Sequence, residues 1–325
     1  MCVVFFAAGV SAVNAGLDAW LPQVFPAPIQ AKIDHLRGHP DDYDLLFIGS
    51  SHIDRHIDPR LFDRELAASG HSVKSFNLGI PGMGSYEADR LLDHVLDLEL
   101  PALRWVIVDT DRPSYALLPG DLRSERSVWW HTIEQTRTVI GATLIQKISA
   151  QRKADVIAAH LEHLLWRVFH VGMGPRYLWG PSRRAPEALE ATRGFRETRE
   201  RPSPAFAKRR GEYEERLARL LEDSDAGTLA SRPYAPLYRS QARRFRARGV
   251  TPVYLLGALL DRSPEVHEMA ERGDLPELLN YDDPHEYPEL YAFDVRFNED
   301  HLRGSGAQIF TRQLAHDFGR FLEAE

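Results

Sequence analysis

A continuous apolar run, Leu45-Leu46-Phe47-Ile48, stops at Gly49-Ser50-Ser51-His52. An uninterrupted run of this kind reads as a strand buried on both faces. Gly49 permits a sharp turn and delivers two hydroxyls at the strand's carboxyl end. In open α/β sheets that edge is where ligands bind. Ser50 and Ser51 fit a helix cap as well as a nucleophile, because Ser accepts hydrogen bonds from the first amides of a helix.

The rhythm of this segment recurs along the chain. A strand over 44–48 precedes Asp58-Pro59, which opens a helix with Leu61, Phe62 and Leu66 on one face. A strand over 73–78 precedes a helix over 85–98 carrying Leu91, Leu92, Val95 and Leu96, and a third strand runs over 104–109. Later, a helix with Arg243, Arg244, Arg246 and Arg248 stops at Gly249, and residues 250–256 form another strand. Such alternation predicts an α/β fold, a parallel sheet with helices on both faces.

Residues 115–240 interrupt the rhythm and read as a helical, charged insertion capping the site. Residues 128–171 are helical in pattern and rich in Trp129, Trp130, His131, His160, His163, Trp166 and His170. His160 and His163, with Glu162 between them, can share a helix face and bind a metal, or stand as ordinary helix-surface residues. No third ligand follows at a usual spacing, so no metal is expected. Residues 181–215 interleave Arg, Glu and Pro, which reads as a solvated helix or loop rather than a site for an anionic polymer or phospholipid headgroups. Tyr281, Asp282, Asp283, His285, Glu286 and Tyr287 read as a polar surface loop or as a rim gripping a sugar.

Two further segments carry chemistry. Asn298-Glu299-Asp300-His301 precedes an apolar helical pattern of Ile309, Phe310, Leu314, Phe318, Phe321 and Leu322, which places His301 in the loop before the last helix. Phe76-Asn77-Leu78-Gly79-Ile80-Pro81-Gly82-Met83-Gly84 runs from a strand into closely spaced glycines, whose amides can face a developing negative charge. In this order the three segments resemble the SGNH/GDSL hydrolase superfamily, over residues 43–115 and 245–325. The resemblance implies a flavodoxin-like three-layer α/β/α sandwich, Ser51 as nucleophile and His301 as base. It implies an oxyanion site from the amides of Ser51 and Gly82, with its third block at Asp111. His52 and Asn77 are then expected to face substrate, and no cofactor is implied.

Two positions depart from that pattern. Where the family has an Asp three residues before the His, this chain has Asn298, and a neutral amide does not stabilise an imidazolium as a carboxylate does. Asp300, Asp294 or a main-chain carbonyl can take that place. The strand Trp105-Val106-Ile107-Val108 ends in Asp109-Thr110-Asp111, where the family has an Asn. An acid there repels an oxyanion unless it is protonated or turned away. Side chains at adjacent positions of a helix start diverge, so His52 reads as a wall residue rather than the base for Ser51.

Composition narrows the partners. With 325 residues, 43% of them hydrophobic, the chain can bury one large core or a core plus an insertion, and its net charge of −7 argues against nucleic acid. The single cysteine, Cys2, excludes an intrachain disulfide. Residues 1–17 carry no charge. They read, with an extension to Leu21, as a membrane anchor, a cleaved signal ending near Val13-Asn14-Ala15, or a buried core helix. Residues 22–42, with Pro22, Pro26 and Pro28, read as a stiff connector to a domain over 43–325. An anchor would set that domain outside the cytoplasmic membrane of a bacterium. The expected activity is serine-dependent acyl-ester hydrolysis or O-acyl transfer on a cell-envelope glycan, with a membrane acyltransferase as implied partner. The alternatives are an inactive glycan-binding or scaffolding protein, and a cytosolic esterase.

Overall fold

The opening apolar run becomes β1, Leu45–Gly49, with every residue buried. A computed structural model of the chain describes residues 27–111, 113–115, 117, 122–172, 187–222 and 233–324, with positions 9, 12, 13 and 16 before them. It forms two compact units, residues 1–34 with 114–184 and residues 35–113 with 185–325. Helix α1, Ala27–Gly38, occupies part of the segment read as a connector. Pro28 fits there because the first turn of a helix has no amide partner to lose. Among the described residues no helix is long and apolar enough to cross a membrane. The uncharged start of the chain, and its reading as anchor or signal, lies almost wholly outside those residues.

In the larger unit, β1 is followed by α2 (Ser51–His56), α3 (Pro59–Ala68), β2 (Ser75–Gly79), α4 (Ser85–Asp97) and β3 (Trp105–Asp109). The smaller unit supplies α5 (Glu125–Trp130), α6 (Ile133–Ile145) and α7 (Ala150–Val168). The larger unit resumes with α8 (Glu187–Thr192), α9 (Pro204–Lys208), α10 (Arg210–Glu222), α11 (Ala235–Arg246), β4 (Thr251–Leu256), α12 (Pro264–Glu271) and β5 (Leu278–Asn280). It ends with α13 (Pro288–Tyr291), a 3-10 turn (Phe293–Val295) and α14 (Gly304–Ala324). The five strands are parallel in the order β2-β1-β3-β4-β5, with helices on both faces. That is a three-layer α/β/α sandwich with the flavodoxin-like strand order, whose switch point falls between β1 and β3.

Strand alternation sorts the core. Leu45, Phe47, Trp105, Ile107, Val253 and Leu255 join Phe62 and Leu66 of α3 and Phe310, Leu314 and Phe318 of α14 in one cluster. Phe47 meets Phe62 edge-on at 5.0 Å, and Trp105 meets Phe318 edge-on at 5.9 Å. Burying each of these Phe side chains contributes about 1.5–3 kcal/mol. On the opposite face α11 packs on β4 and α4.

The interruption is shorter than 115–240. From residue 185 the chain belongs to the sheet unit. Phe206, Tyr213 and Leu220, spaced by seven, sink into its core although charged residues surround them. Phe206 stacks on Phe293 at 4.7 Å, and the Tyr213 hydroxyl donates to the Tyr291 carbonyl at 2.7 Å. The 281–287 segment is likewise not a free rim: Tyr281, Asp282 and Tyr287 are buried. Tyr281 donates to Asp317 at 2.8 Å, so that loop closes a core.

In the smaller unit α7 turns Val156, His160 and His163 inward. Neither histidine is a surface residue. Leu161, Leu165 and Val168 of α7, and Ile133, Leu144 and Ile145 of α6, are exposed.

Candidate active site

At the end of β1, a Cβ on Gly49 would lie 2.2 Å from the Cβ of Asp109 on β3. Close approach is therefore what this position requires of glycine. Ser50 caps α2: its Oγ accepts from the His52 amide at 3.2 Å and donates to Asp109 Oδ2 at 2.6 Å. The cap reading of the Ser-Ser pair falls on Ser50. Ser51, first in the helix, sets its Oγ 2.8 Å from His301 Nε2.

The loop that carries His301 is a closed device. Arg296 and Leu302 form a two-residue antiparallel bridge, and the Phe297 amide donates to the His301 carbonyl at 2.8 Å. Arg296 is fully buried and donates to the carbonyls of Leu290 (3.0 Å), Glu299 (2.9 Å) and Ala258 (2.7 Å). Arg209 and Arg216 both grip Glu299 at 2.9 Å.

Asn298 stands behind the His301 ring. Its Oδ1 accepts from the main-chain amides of Asp300 (3.0 Å) and His301 (2.8 Å), which orients the side-chain amide with its oxygen inward. The same oxygen faces His301 Nδ1 at 3.0 Å. An acceptor there requires the proton on Nδ1, leaving Nε2 a lone pair toward Ser51. Neither alternative acid fills this role. Asp300 acts on the ring through its field, and Asp294 lies on the 3-10 turn, where its field acts on Arg210. Burial, then the neighbouring His52 and Arg55, hold His301 down to about 4, against the pull of Asp300. The ring is neutral at neutral pH.

The acids at the end of β3 are engaged by groups other than Ser51. Asp109 Oδ2 also accepts from the Ser50 amide (3.0 Å), and its Oδ1 accepts from the Asp111 amide (2.8 Å). Asp111 Oδ1 accepts from the Gly257 amide (2.6 Å), while its Oδ2 takes His52 Nδ1 at 2.6 Å. Burial and the charge of Asp111 push Asp109 up to about 6. His52, Asp109 and Asp111 each offer a ligand atom within 4.8 Å of the others, the geometry of a small cation site. Each of those carboxylate oxygens already has a donor, so the cluster is satisfied without an ion.

The remaining expected residues divide. Gly82 adopts φ +69° in a turn closed by the Met83 amide on the Ile80 carbonyl (3.1 Å), and the Ile80 amide on the Gly49 carbonyl (2.8 Å) ties that turn to the end of β1. Asn77 does not face substrate. It is fully buried, donating to the carbonyls of Ile53 (2.6 Å) and Ile57 (2.8 Å) and accepting from the Gly79 amide (2.9 Å), so it rivets α2 to β2.

Three contributors were not foreseen. His56 accepts from the Leu302 amide at 3.0 Å and sets its ring edge-on to His301 at 5.9 Å. Burial, with His52 and His301 beside it, holds His56 well below its ordinary value. Its spacing of four from His52 on a short helix was the readable signal. Arg296 gave only a charge in an apolar context. Residues 193–203 form a strap: the Asn77 amide donates to the Arg193 carbonyl (2.9 Å), Arg196 pairs with buried Asp54 (2.7 Å), and the Ser203 amide donates to Phe297 (2.8 Å). It joins the helix of Ser51 to the loop of His301. A cavity of about 440 Å³ lined by Arg60, Arg64, Lys74, Arg193 and Asp63 contains none of the site residues.

Comparison of the chain with protein-family models, curated proteins and solved structures finds no match in any of the three, so the chemistry of the site is argued from its own geometry.

Proposed function

We propose that the chain is a serine-dependent acyl-ester hydrolase or O-acyltransferase of the SGNH/GDSL kind, acting on a cell-envelope glycan. The observation that carries this reading is the relay Ser51 Oγ–His301 Nε2 (2.8 Å) and His301 Nδ1–Asn298 Oδ1 (3.0 Å). Ser51 Oγ attacks the acyl carbonyl while its proton passes to His301 Nε2. The tetrahedral oxyanion is held by main-chain amides, for which Ser51 and Gly82 are the candidates. Collapse breaks the ester bond, and His301 returns the proton to the leaving oxygen. Water or a sugar hydroxyl, deprotonated by His301, then releases the acyl group from Ser51.

Asn298 changes the strength of the relay rather than its direction. Replacing the triad acid by Asn in a serine protease lowers kcat about 10⁴-fold because the imidazole adopts the wrong tautomer. Here two main-chain amides present the Asn298 oxygen, so the tautomer is right and only charge stabilisation is missing. The glycan acceptor and a membrane acyltransferase partner rest on the sequence resemblance. The exposed apolar side chains of α6 and α7 support a place at the outer face of a bacterial cytoplasmic membrane.

The test is labelling of the full-length chain with a fluorophosphonate, mapped by mass spectrometry, with hydrolysis of an activated acetyl ester alongside. Label on Ser51, lost in Ser51→Ala and His301→Ala, is the expected result. A well-folded chain that takes no label and turns over no ester overturns the enzyme reading in favour of a noncatalytic glycan-binding or scaffolding protein, the alternative that Asn298 and the acids of the third block favour.

A further inference from the structure

The third block poses a problem for acyl transfer. Two carboxylates, Asp109 and Asp111, stand where an oxyanion needs a donor. We propose that His52, held by Asp111, is a cationic side-chain donor to the oxyanion formed at Ser51, so that a histidine–aspartate pair does what a neutral amide would otherwise do. The inference rests on Ser51 being the nucleophile.

The geometry carries it in three steps. Both carboxylates spend their oxygens on other groups: Asp109 on Ser50 and the Asp111 amide, Asp111 on the Gly257 amide and on His52. Their charge therefore reaches the site through the His52 ring. Next, Asp111 Oδ2 lies 2.6 Å from His52 Nδ1, which assigns a proton to Nδ1 and leaves Nε2 as the other pole of the ring. Nε2 has no protein partner among the described residues, and the side chain keeps 15% of its surface exposed. Finally, the His52 ring lies 5.5 Å from that of His301, centroid to centroid, and its residue follows Ser51 directly. Ser51 Oγ is itself 2.8 Å from His301 Nε2, so the two rings stand on the same edge of the site as the hydroxyl.

The charged groups facing His52 favour the cation. Asp109 and Asp111 approach from the end of β3, Asp300 and His301 from the loop before α14, and His56 stacks on it from its own helix at 5.2 Å. Burial opposes charge on His52, but the hydrogen bond and field of Asp111, with the fields of Asp109 and Asp300, outweigh it and raise the ring above its ordinary value. A neutral ring with its proton on Nδ1 would offer the oxyanion only a lone pair; the imidazolium offers Nε2–H. The two histidines thus divide the work, one neutral and accepting, the other charged and donating. Each also sets the other, since His52 is among the neighbours that depress His301.

The experiment is a pH–rate profile of acetyl-ester hydrolysis by the full-length chain, for wild type, His52→Asn, His52→Lys, Asp111→Asn and Ser51→Ala. Loss of one oxyanion donor lowers kcat about 10²–10³-fold. His52→Asn should show a loss of that order in kcat with little change in KM, no alkaline limb, and an acid limb moved to higher pH because His301 loses a cationic neighbour. His52→Lys should recover part of the rate and carry the alkaline limb into the lysine range. Asp111→Asn should bring the wild-type alkaline limb down. A His52→Asn profile that superimposes on wild type, while Ser51→Ala is inactive, overturns this inference and leaves the nucleophile standing. Activity retained by Ser51→Ala overturns the reading beneath it. Loss of wild-type activity on dialysis against a chelator, restored by a divalent cation, would show the His52–Asp109–Asp111 cluster to be a metal site and overturn the donor role.

Discussion

Among the described residues, two groups of three histidines stand in contrasting surroundings. In the sheet unit His52, His56 and His301 lie 5.2–5.9 Å apart, ring to ring. In the helical unit His131 lies 5.0 Å from His160 and 5.1 Å from His163. The helical group bonds to main-chain groups and to its own rings. His131 Nδ1 faces the Ser127 carbonyl and its Nε2 faces His160 Nδ1 at 2.9 Å; His160 Nε2 faces the Tyr115 carbonyl at 2.6 Å. His163 faces the Ala159 carbonyl at 2.6 Å and accepts from the Arg123 amide at 2.8 Å. Burial, with His160 beside it, drives His131 down to about 3. The sheet group instead meets a hydroxyl, a side-chain amide and a carboxylate, and two of its rings retain exposed surface. Clustering of histidines therefore says little about function. Partners that differ from ring to ring, at an accessible edge, say much more.

The largest expected effect breaks the two groups apart. His301→Ala should lower kcat/KM for an acyl ester by at least about 10³-fold. His160→Ala should leave kcat/KM within a few-fold and instead destabilise the helical unit by about 1–3 kcal/mol, because buried main-chain and ring partners lose their hydrogen bonds. Ester kinetics and denaturant unfolding of the same two variants read both effects. A catalytic loss in His160→Ala comparable to that in His301→Ala would abolish the distinction.

Sequence showed the sheet well because its strands are buried on both faces. Runs such as Leu45–Ile48 and Val106–Val108 admit few other readings, and the strands over 104–109 and 250–256 fall where expected, to within a residue. Strand β5 was not foreseen, since Leu278–Asn280 is three residues long and half-buried. Residues 181–215 read as solvated because charges dominate their composition, yet Phe206 and Tyr213 within them join the core. One aromatic or leucine in every seven residues is enough to bury that segment, and a charge count averages it away. Ser51 and His301 were legible as a pair from two motifs in order. What stands behind each ring was not: whether Asn298 or Asp300 supports His301, and whether Asp111 faces an oxyanion or His52, are decided by side-chain direction across elements far apart in sequence.

Asn298 offers a way to sharpen the contrast. Asn298→Asp keeps an acceptor for the amides of Asp300 and His301 and for His301 Nδ1, all of which bond to Oδ1. Fold and tautomer should survive. A carboxylate behind the ring favours the imidazolium and raises His301 from about 4 by roughly one to three pH units. The acid limb of kcat/KM should move up by that interval, with a faster plateau from the stronger base. An acid limb unmoved from that of wild type would mean that His301 is not the group titrating there.

The smallest effect is a pH dependence of stability with opposite signs in the two groups. His131 has an ordinary value of 6.5 and a folded value near 3, so its depressed pKa makes the unfolded chain bind the proton first. Its contribution is complete above the unfolded value and is lost as pH falls through the window between 6.5 and about 3. His52 is raised in the fold. Its contribution is complete below the unfolded value and is lost as pH rises through the folded one. One proton limits either slope to about 1.4 kcal/mol per pH unit. His131→Gln should therefore flatten the fall in melting temperature on the acid side and leave the alkaline side alone, while His52→Asn should do the reverse. Both effects exist only if the His131 ring is neutral and the His52 ring charged in the folded chain. Melting curves of the two variants that change on the same side of neutrality would show that their surroundings do not set opposite charges.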